Sequence, residues 1–173
     1  MALVQERAEQ RSKVIKGGSI SYNFHVTLQK GNDFSGYAEM SFELVEVPAE
    51  LVLDYKGKDI SRVVQNGEVV ASKLEGGFIY LDVGKLKVGN NIVGVHYSSA
   101  YNNDGSGCVS FVDVDNKQYI YTQFEPYYAN RVFPCFDQPD LKAKMNLSVI
   151  SPSEWKKVLS NERAQVEKEL SAE

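Results

Sequence analysis

Between Tyr22 and Leu44 the chain reads YNFHVTLQKGNDFSGYAEMSFEL. Tyr22, Phe24, Val26 and Leu28 alternate with Asn23, His25, Thr27 and Gln29. From Phe34 onward, Gly36, Ala38, Met40, Phe42 and Leu44 share one face, while Ser35, Tyr37, Glu39, Ser41 and Glu43 share the other. A period of two sends successive side chains to opposite sides of a strand, so each run is a strand with one buried face. The intervening KGND, residues 30–33, supplies turn chemistry, and the pair reads as a β-hairpin.

Working outward, similar short runs follow: LVLDY (51–55), SRVV (61–64), EVV (68–70), FIYLDV (78–83), NIVGVHYS (91–98), VSFVDV (109–114), QYIYTQF (118–124) and KMNLSVIS (144–151). Asn66-Gly67, Gly76-Gly77 and Gly89-Asn90-Asn91 punctuate them as turns. Short strands at close spacing with one apolar face predict an all-β antiparallel sandwich. Upstream, the first fifteen residues are charged helix formers, and a short or frayed helix should end before Gly17 and Gly18. The final stretch NERAQVEKELSAE, residues 161–173, is helical by propensity but has few apolar residues to anchor it. The expected organisation is an N-terminal helix or disordered arm over 1–18, the sandwich over 19–161, and a loosely anchored tail over 162–173.

Composition fits a folded globular domain, with 43% hydrophobic and 24% charged residues. A net charge of −4 gives no electrostatic drive toward nucleic acid or an anionic membrane, so neither is expected as a partner. No run approaches the roughly 18 to 20 apolar residues of a spanning helix. The opening MALVQERAEQRSK lacks the apolar core of a secretory signal. Two cysteines, Cys108 and Cys135, are too few for a disulfide framework and read as buried free thiols. Both features point to the cytoplasm.

The search for chemistry eliminates more than it finds. The two histidines, His25 and His96, are followed by Val26 and Tyr97, so neither opens an H-E-x-x-H; His25, on a polar strand face, reads as solvated, and His96, beside Val95 and Tyr97, as a core or edge histidine. With no C-x-x-C either, no complete zinc site is expected in this chain. There is no G-x-S-x-G and no phosphate-binding loop. The carboxylate pairs Glu46/Glu50 and Asp113/Asp115 suit solvated surface positions. One stretch remains: YIYTQFEPYYANRVFPCFDQPDLKAK, residues 119–144, dense in Tyr and Phe and holding three prolines. Packed aromatics need partners, and proline interrupts a sheet ladder. Composition alone makes this an ordered, irregular loop capping the core.

Its residues carry a resemblance. TQFEPYYANRVFPCFDQPDLKA (122–143) resembles the signature near the end of the N-terminal domain in zinc aminopeptidases of the aminopeptidase N family, to which leukotriene hydrolase is related. DFSGYAEMSFEL (33–44), LVLDYKGKDI (51–60) and LKVGNNIVGVHYSS (86–99) agree in order and spacing, and the likeness runs from about Tyr22 to Asn161. The resemblance implies a saddle-shaped β-sandwich resting on a separate catalytic domain. That domain would carry G-x-M-E-N and H-E-x-x-H and bind one zinc, and neither motif is in this chain. It also implies further strands beyond VLSN (158–161), so that the sheet here is incomplete at its C-terminal end.

By the same resemblance, Gln123 and Glu125 are the substrate-binding residues. The glutamate would bind the free α-amine of a peptide, and the glutamine would help to place its first residue. If the strand persists through both, they point to one side. The parent would then remove N-terminal amino acids from peptides, with this chain capping the cleft and inactive alone. The bland reading of Glu125 is an ion pair with Arg131 or Lys142. Tyr127 and Tyr128 depart from the small or polar residues common after the proline, which bears on the pocket's shape. Arg131, Phe133, Pro134, Phe136, Asp137 and Pro139 read as the loop's structural support. Other readings are a non-catalytic, aminopeptidase-like scaffold and a free-standing binding module. The epoxide-hydrolysing branch related to leukotriene hydrolase typically carries Gln where this chain has Glu125.

Overall fold

The computed structural model describes residues 5–155 and 157–165. The Tyr22–Leu44 hairpin forms as the alternation predicts: β1 spans Ile20–Thr27 and β2 spans Asp33–Leu44. Their register sets Tyr22 opposite Met40, Phe24 opposite Ala38 and Val26 opposite Gly36, which gathers the apolar residues on one face. Phe34, Ala38, Met40, Phe42 and Leu44 are all buried.

Nine further strands complete the described fold. β3 is Val52–Asp54, β4 Asp59–Gln65, β5 Glu68–Val70, β6 Leu74–Glu75 and β7 Phe78–Tyr80. β8 is Gly89–Ala100, β9 Gly107–Val112 and β10 Gln118–Gln123. A ninth, β11, is Ala143–Ile150. Six of the strands make one sheet in the order β11-β1-β2-β8-β4-β5. A three-stranded sheet, β3-β7-β6, and the β9–β10 hairpin make up the rest. The core lies on the inner face of the large sheet, where Tyr22, Phe24, Phe42, Val93 and Val95 meet Leu53, Ile79, Val132, Phe133 and Phe136. This is the all-β, sandwich-like architecture expected.

Between β4 and β5 the Asn66-Gly67 turn has φ of 50° and 89°, the two positive values that a two-residue type I′ hairpin demands. Gly36 faces the core where an added Cβ would stand 2.4 Å from the Tyr97 hydroxyl and 2.7 Å from the His25 carbonyl, so its missing side chain makes room for the Tyr97 ring.

Three observations modify the expectations. First, the sheet is not wholly antiparallel: β11 runs parallel to β1, Ile20 opposite Ala143 through Thr27 opposite Ile150. The two strands are far apart in sequence, so no tight turn forces them to run in opposite directions. Met145, Leu147 and Val149 extend the apolar inner face, yet Met145 and Leu147 are exposed, since no described layer reaches over β11. Second, helix α1 (Gln5–Val14) is held by its polar as well as its apolar residues: Arg11 is buried along with Val14. Third, His96, expected in the core or at an edge, is exposed on the outer face of β8, its ring 4.6 Å from that of Tyr37. Of the C-terminal stretch expected to favour helix, residues 161–165 are not helical and 166–173 lie outside the described residues.

Candidate functional site

The segment after β10 is built from the core outward. Phe133 is buried, stacked on Phe24 of β1 at 4.2 Å, and meets Phe124 edge-on at 5.7 Å. Phe136 packs edge-on against Phe42 at 5.2 Å, and its amide donates to the Tyr22 hydroxyl at 3.0 Å. Pro134 is buried and Pro139 exposed, so only the first supports the loop by burial. A bridge between Asp54 and Cys135 ties the segment to β3, with 2.8 Å from the Asp54 amide to the Cys135 carbonyl.

Its polar skeleton centres on Asp54, which is 1% exposed. Arg11 donates to Asp54 Oδ2 at 2.6 Å and to the Val52 carbonyl at 2.7 Å. The Tyr127 hydroxyl donates to Asp54 Oδ1 at 2.9 Å, and the Asp137 amide to Oδ2 at 2.9 Å. Asn130, fully buried, donates from its amide and its side chain to Asp137 Oδ2 at 2.9 and 2.7 Å, and from its side chain to the Tyr127 carbonyl at 3.2 Å. A charge is buried only when paired and hydrogen-bonded, and Asp54 meets that condition with three donors. Burial first, and the Asp54 carboxylate next, push the Tyr127 phenol above its ordinary value. Burial likewise raises the Asp137 carboxyl, while its bonds from Asn130 pull it back.

On this frame sit the two residues singled out by resemblance. Gln123 ends β10 opposite Gly107, and Glu125 follows in a turn closed by the Tyr128 amide donating to the Phe124 carbonyl at 2.9 Å. The Glu125–Pro126 peptide bond is cis. Because the strand stops at Gln123, strand alternation does not carry across to Glu125. Both side chains are exposed. Among the described residues, no ion pair engages Glu125. Arg131 instead binds Asp104 at 2.6 Å and the Ser106 hydroxyl at 2.8 Å. The Ser106 hydroxyl and then Arg131 pull the Asp104 carboxyl down to about 2.

Asp54, Arg11 and Asn130 were not singled out from sequence. A lone aspartate inside the apolar run LVLDY was a usable signal for the first; nothing local marked the others. Tyr127 turns its hydroxyl inward to Asp54.

Among the described residues, no three of His, Cys, Asp and Glu stand together as a metal-binding group. Cys108 and Cys135 are buried and free, and burial pushes the Cys108 thiol up to about 12. These residues do not fit a zinc site. No helix among the described residues is long and apolar enough to cross a membrane.

Four buried or half-buried phenols, Tyr22, Tyr55, Tyr97 and Tyr127, are raised above the usual tyrosine value, chiefly by burial. A folded-state value above the unfolded one favours the folded chain below about pH 10 and loses that advantage as pH rises further. Titration followed at 295 nm should therefore show these four ionising only as the chain unfolds, above about pH 10. One reversible phase for all ten tyrosines, with the fold intact, would contradict this burial.

The sequence profile of the Peptidase M1 N-terminal domain matches residues 18–173. Aminopeptidase N of Streptomyces lividans is 35% identical over 163 residues, covering 92% of this chain and 19% of its own length. A probable aminopeptidase of Sulfurisphaera tokodaii is 31% identical over 134 residues, covering 75% of this chain and 16% of its own. Among solved structures, leukotriene A4 hydrolase of Saccharomyces cerevisiae aligns with a TM-score of 0.65 at 17% identity, over 87% of this chain and 28% of that one. An M1 zinc metallopeptidase of Deinococcus radiodurans, bound to a Tyr-Ser-Ala substrate, aligns with a TM-score of 0.59 at 19% identity, over 78% of this chain and 33% of that one. At these identities the structural likeness speaks for the fold. The chain belongs to the M1 peptidase family and corresponds to its N-terminal domain. It spans less than a fifth of the length of the two curated relatives.

Proposed function

We propose that this chain is the part of a zinc aminopeptidase that receives the free N-terminus of a peptide. Glu125 binds the α-ammonium, Gln123 helps to place the first residue, and the domain caps the cleft. Zinc would be held by a catalytic domain in the same polypeptide, because the described residues bring no ligand set for it. Alone, the chain is inactive and binds no stoichiometric zinc. Two buried free thiols fit a reducing, cytoplasmic setting.

One observation carries the reading. Glu125 is exposed and enters no ion pair among the described residues, although the nearby Phe124 and Tyr127 are fixed through partly buried contacts. An unpaired carboxylate on an anchored turn is prepared for a cation from outside. A carboxylate–ammonium hydrogen bond contributes about 1.5–3 kcal/mol, and an internal peptide residue has no ammonium to offer. That difference selects chain ends.

Glu125→Ala in the full-length protein should therefore lower kcat/KM on free-amine peptides about 10- to 100-fold, at about 1.4 kcal/mol per tenfold. N-acetylated peptides should be poor substrates for wild type and variant alike. Equal turnover of free-amine peptides by both proteins would end the amine-anchor role.

A further inference from the structure

The turn bearing Glu125 is held on both sides. On one side Phe124 is wedged edge-on against Phe133, 5.7 Å between ring centres. On the other, two residues past Glu125, the Tyr127 hydroxyl is bonded to Asp54 at 2.9 Å. Asp54 is itself fixed by Arg11 of helix α1 at 2.6 Å. The helix is locked to the same segment a second time: Gln138 donates to the Ala8 carbonyl at 2.9 Å and to the Ser12 hydroxyl at 2.8 Å, and Ser12 donates to Asp140 at 2.5 Å. Helix α1, Gln5–Val14, precedes the residues that the family profile matches. Yet it supplies the buried counter-charge on which the Tyr127 anchor depends.

We infer that Tyr127, backed by Asp54 and Arg11, is a positioning residue that sets where the Glu125 carboxylate stands, so that helix α1 takes part in substrate recognition without touching substrate. This rests on the amine-anchor reading of Glu125. Three features favour a positioning role over mere stability. The Tyr127 bond lies two residues from Glu125, it closes on an acceptor that cannot move because it is paired, and the Tyr127 carbonyl is also held by Asn130. Only Glu125 and Pro126 lie between the two anchors. Positioning matters because a misplacement of about 1 Å can cost on the order of 100-fold in rate.

The test is a double-mutant cycle in the full-length protein, with an aminoacyl p-nitroanilide bearing a free amine as the probe. Tyr127→Phe keeps the ring and removes only the hydroxyl. It should raise KM and lower kcat/KM about tenfold in the wild-type background and less than twofold in the Glu125→Ala background. Amide hydrogen exchange should quicken at residues 124–130 and stay unchanged in helix α1. Equal losses in both backgrounds, or no loss in either, would overturn the positioning role. If Glu125→Ala alone lowers kcat/KM while the Tyr127→Phe effect adds in full, only the relay falls. If Glu125→Ala is itself without effect, the amine anchor falls and the relay falls with it.

Discussion

Asp54→Ala should lower the unfolding free energy by about 3–5 kcal/mol, the usual cost of breaking a buried ion pair from one side. The substitution leaves Arg11, 2% exposed, with one remaining acceptor, the Val52 carbonyl. It also strips the Tyr127 hydroxyl and the Asp137 amide of their acceptor. Arg11→Met should cost less. It leaves a buried carboxylate, but one still receiving two hydrogen bonds, and its methylenes can rest on Phe136, over which the guanidinium lies at 5.5 Å. Urea denaturation of both variants at neutral pH decides the matter, read from midpoints at unchanged slope. A loss below about 1 kcal/mol for Asp54→Ala would mean that the pair is far more solvated than its burial indicates.

The second large effect belongs to Phe133→Ala, expected at about 3–5 kcal/mol for a buried phenylalanine truncated to alanine. Phe133 joins three parts of the molecule: β1 through Phe24, the Glu125 turn through Phe124, and the irregular segment of which it is a member. Its removal opens a cavity that two aromatic rings cannot both fill. Phe133→Leu keeps much of the volume and should cost about half as much or less, since volume-conserving swaps stay below about 1.5 kcal/mol. Denaturation midpoints of the two variants, measured side by side, supply the comparison. Equal losses from Ala and Leu would show that ring stacking, rather than filled volume, holds the segment.

Strands whose sequence alternates were legible, because a buried face enforces a period of two. Tyr22–Leu28 and Phe34–Leu44 are the clear cases. β6 was not, since Leu74–Glu75 is too short to show any period. Nor was the parallel pairing of β1 with β11, which no local residue encodes. Helix α1 showed its propensity but not its anchorage, because a buried arginine is invisible until its aspartate, 43 positions away, is found. The segment around Glu125 was recognisable as a motif. Its support was only half readable: Phe133, Phe136 and Asp137 were read as supporting the loop, whereas Asp54 and Asn130 went unread. Gln123 and Glu125 could be named through resemblance alone. Two exposed polar residues beside a turn carry no pattern of their own, and the strand ends between them.

The parallel pairing of β1 with β11 also shapes how the chain can acquire its structure. Asn23 and Asn146, joined at 2.9 Å across that pair, are separated by 123 positions. On a ribosome β1 emerges early and can zip with β2 at once, since the hairpin is local. Its other edge must wait for more than a hundred further residues. Contacts of such long sequence separation close slowly, because the intervening loop must lose its entropy before any bond repays it. Through that interval β1 offers unpaired amides and carbonyls to any passing strand. Nascent-chain quality control would meet this domain as an open template until β11 covers that edge of β1.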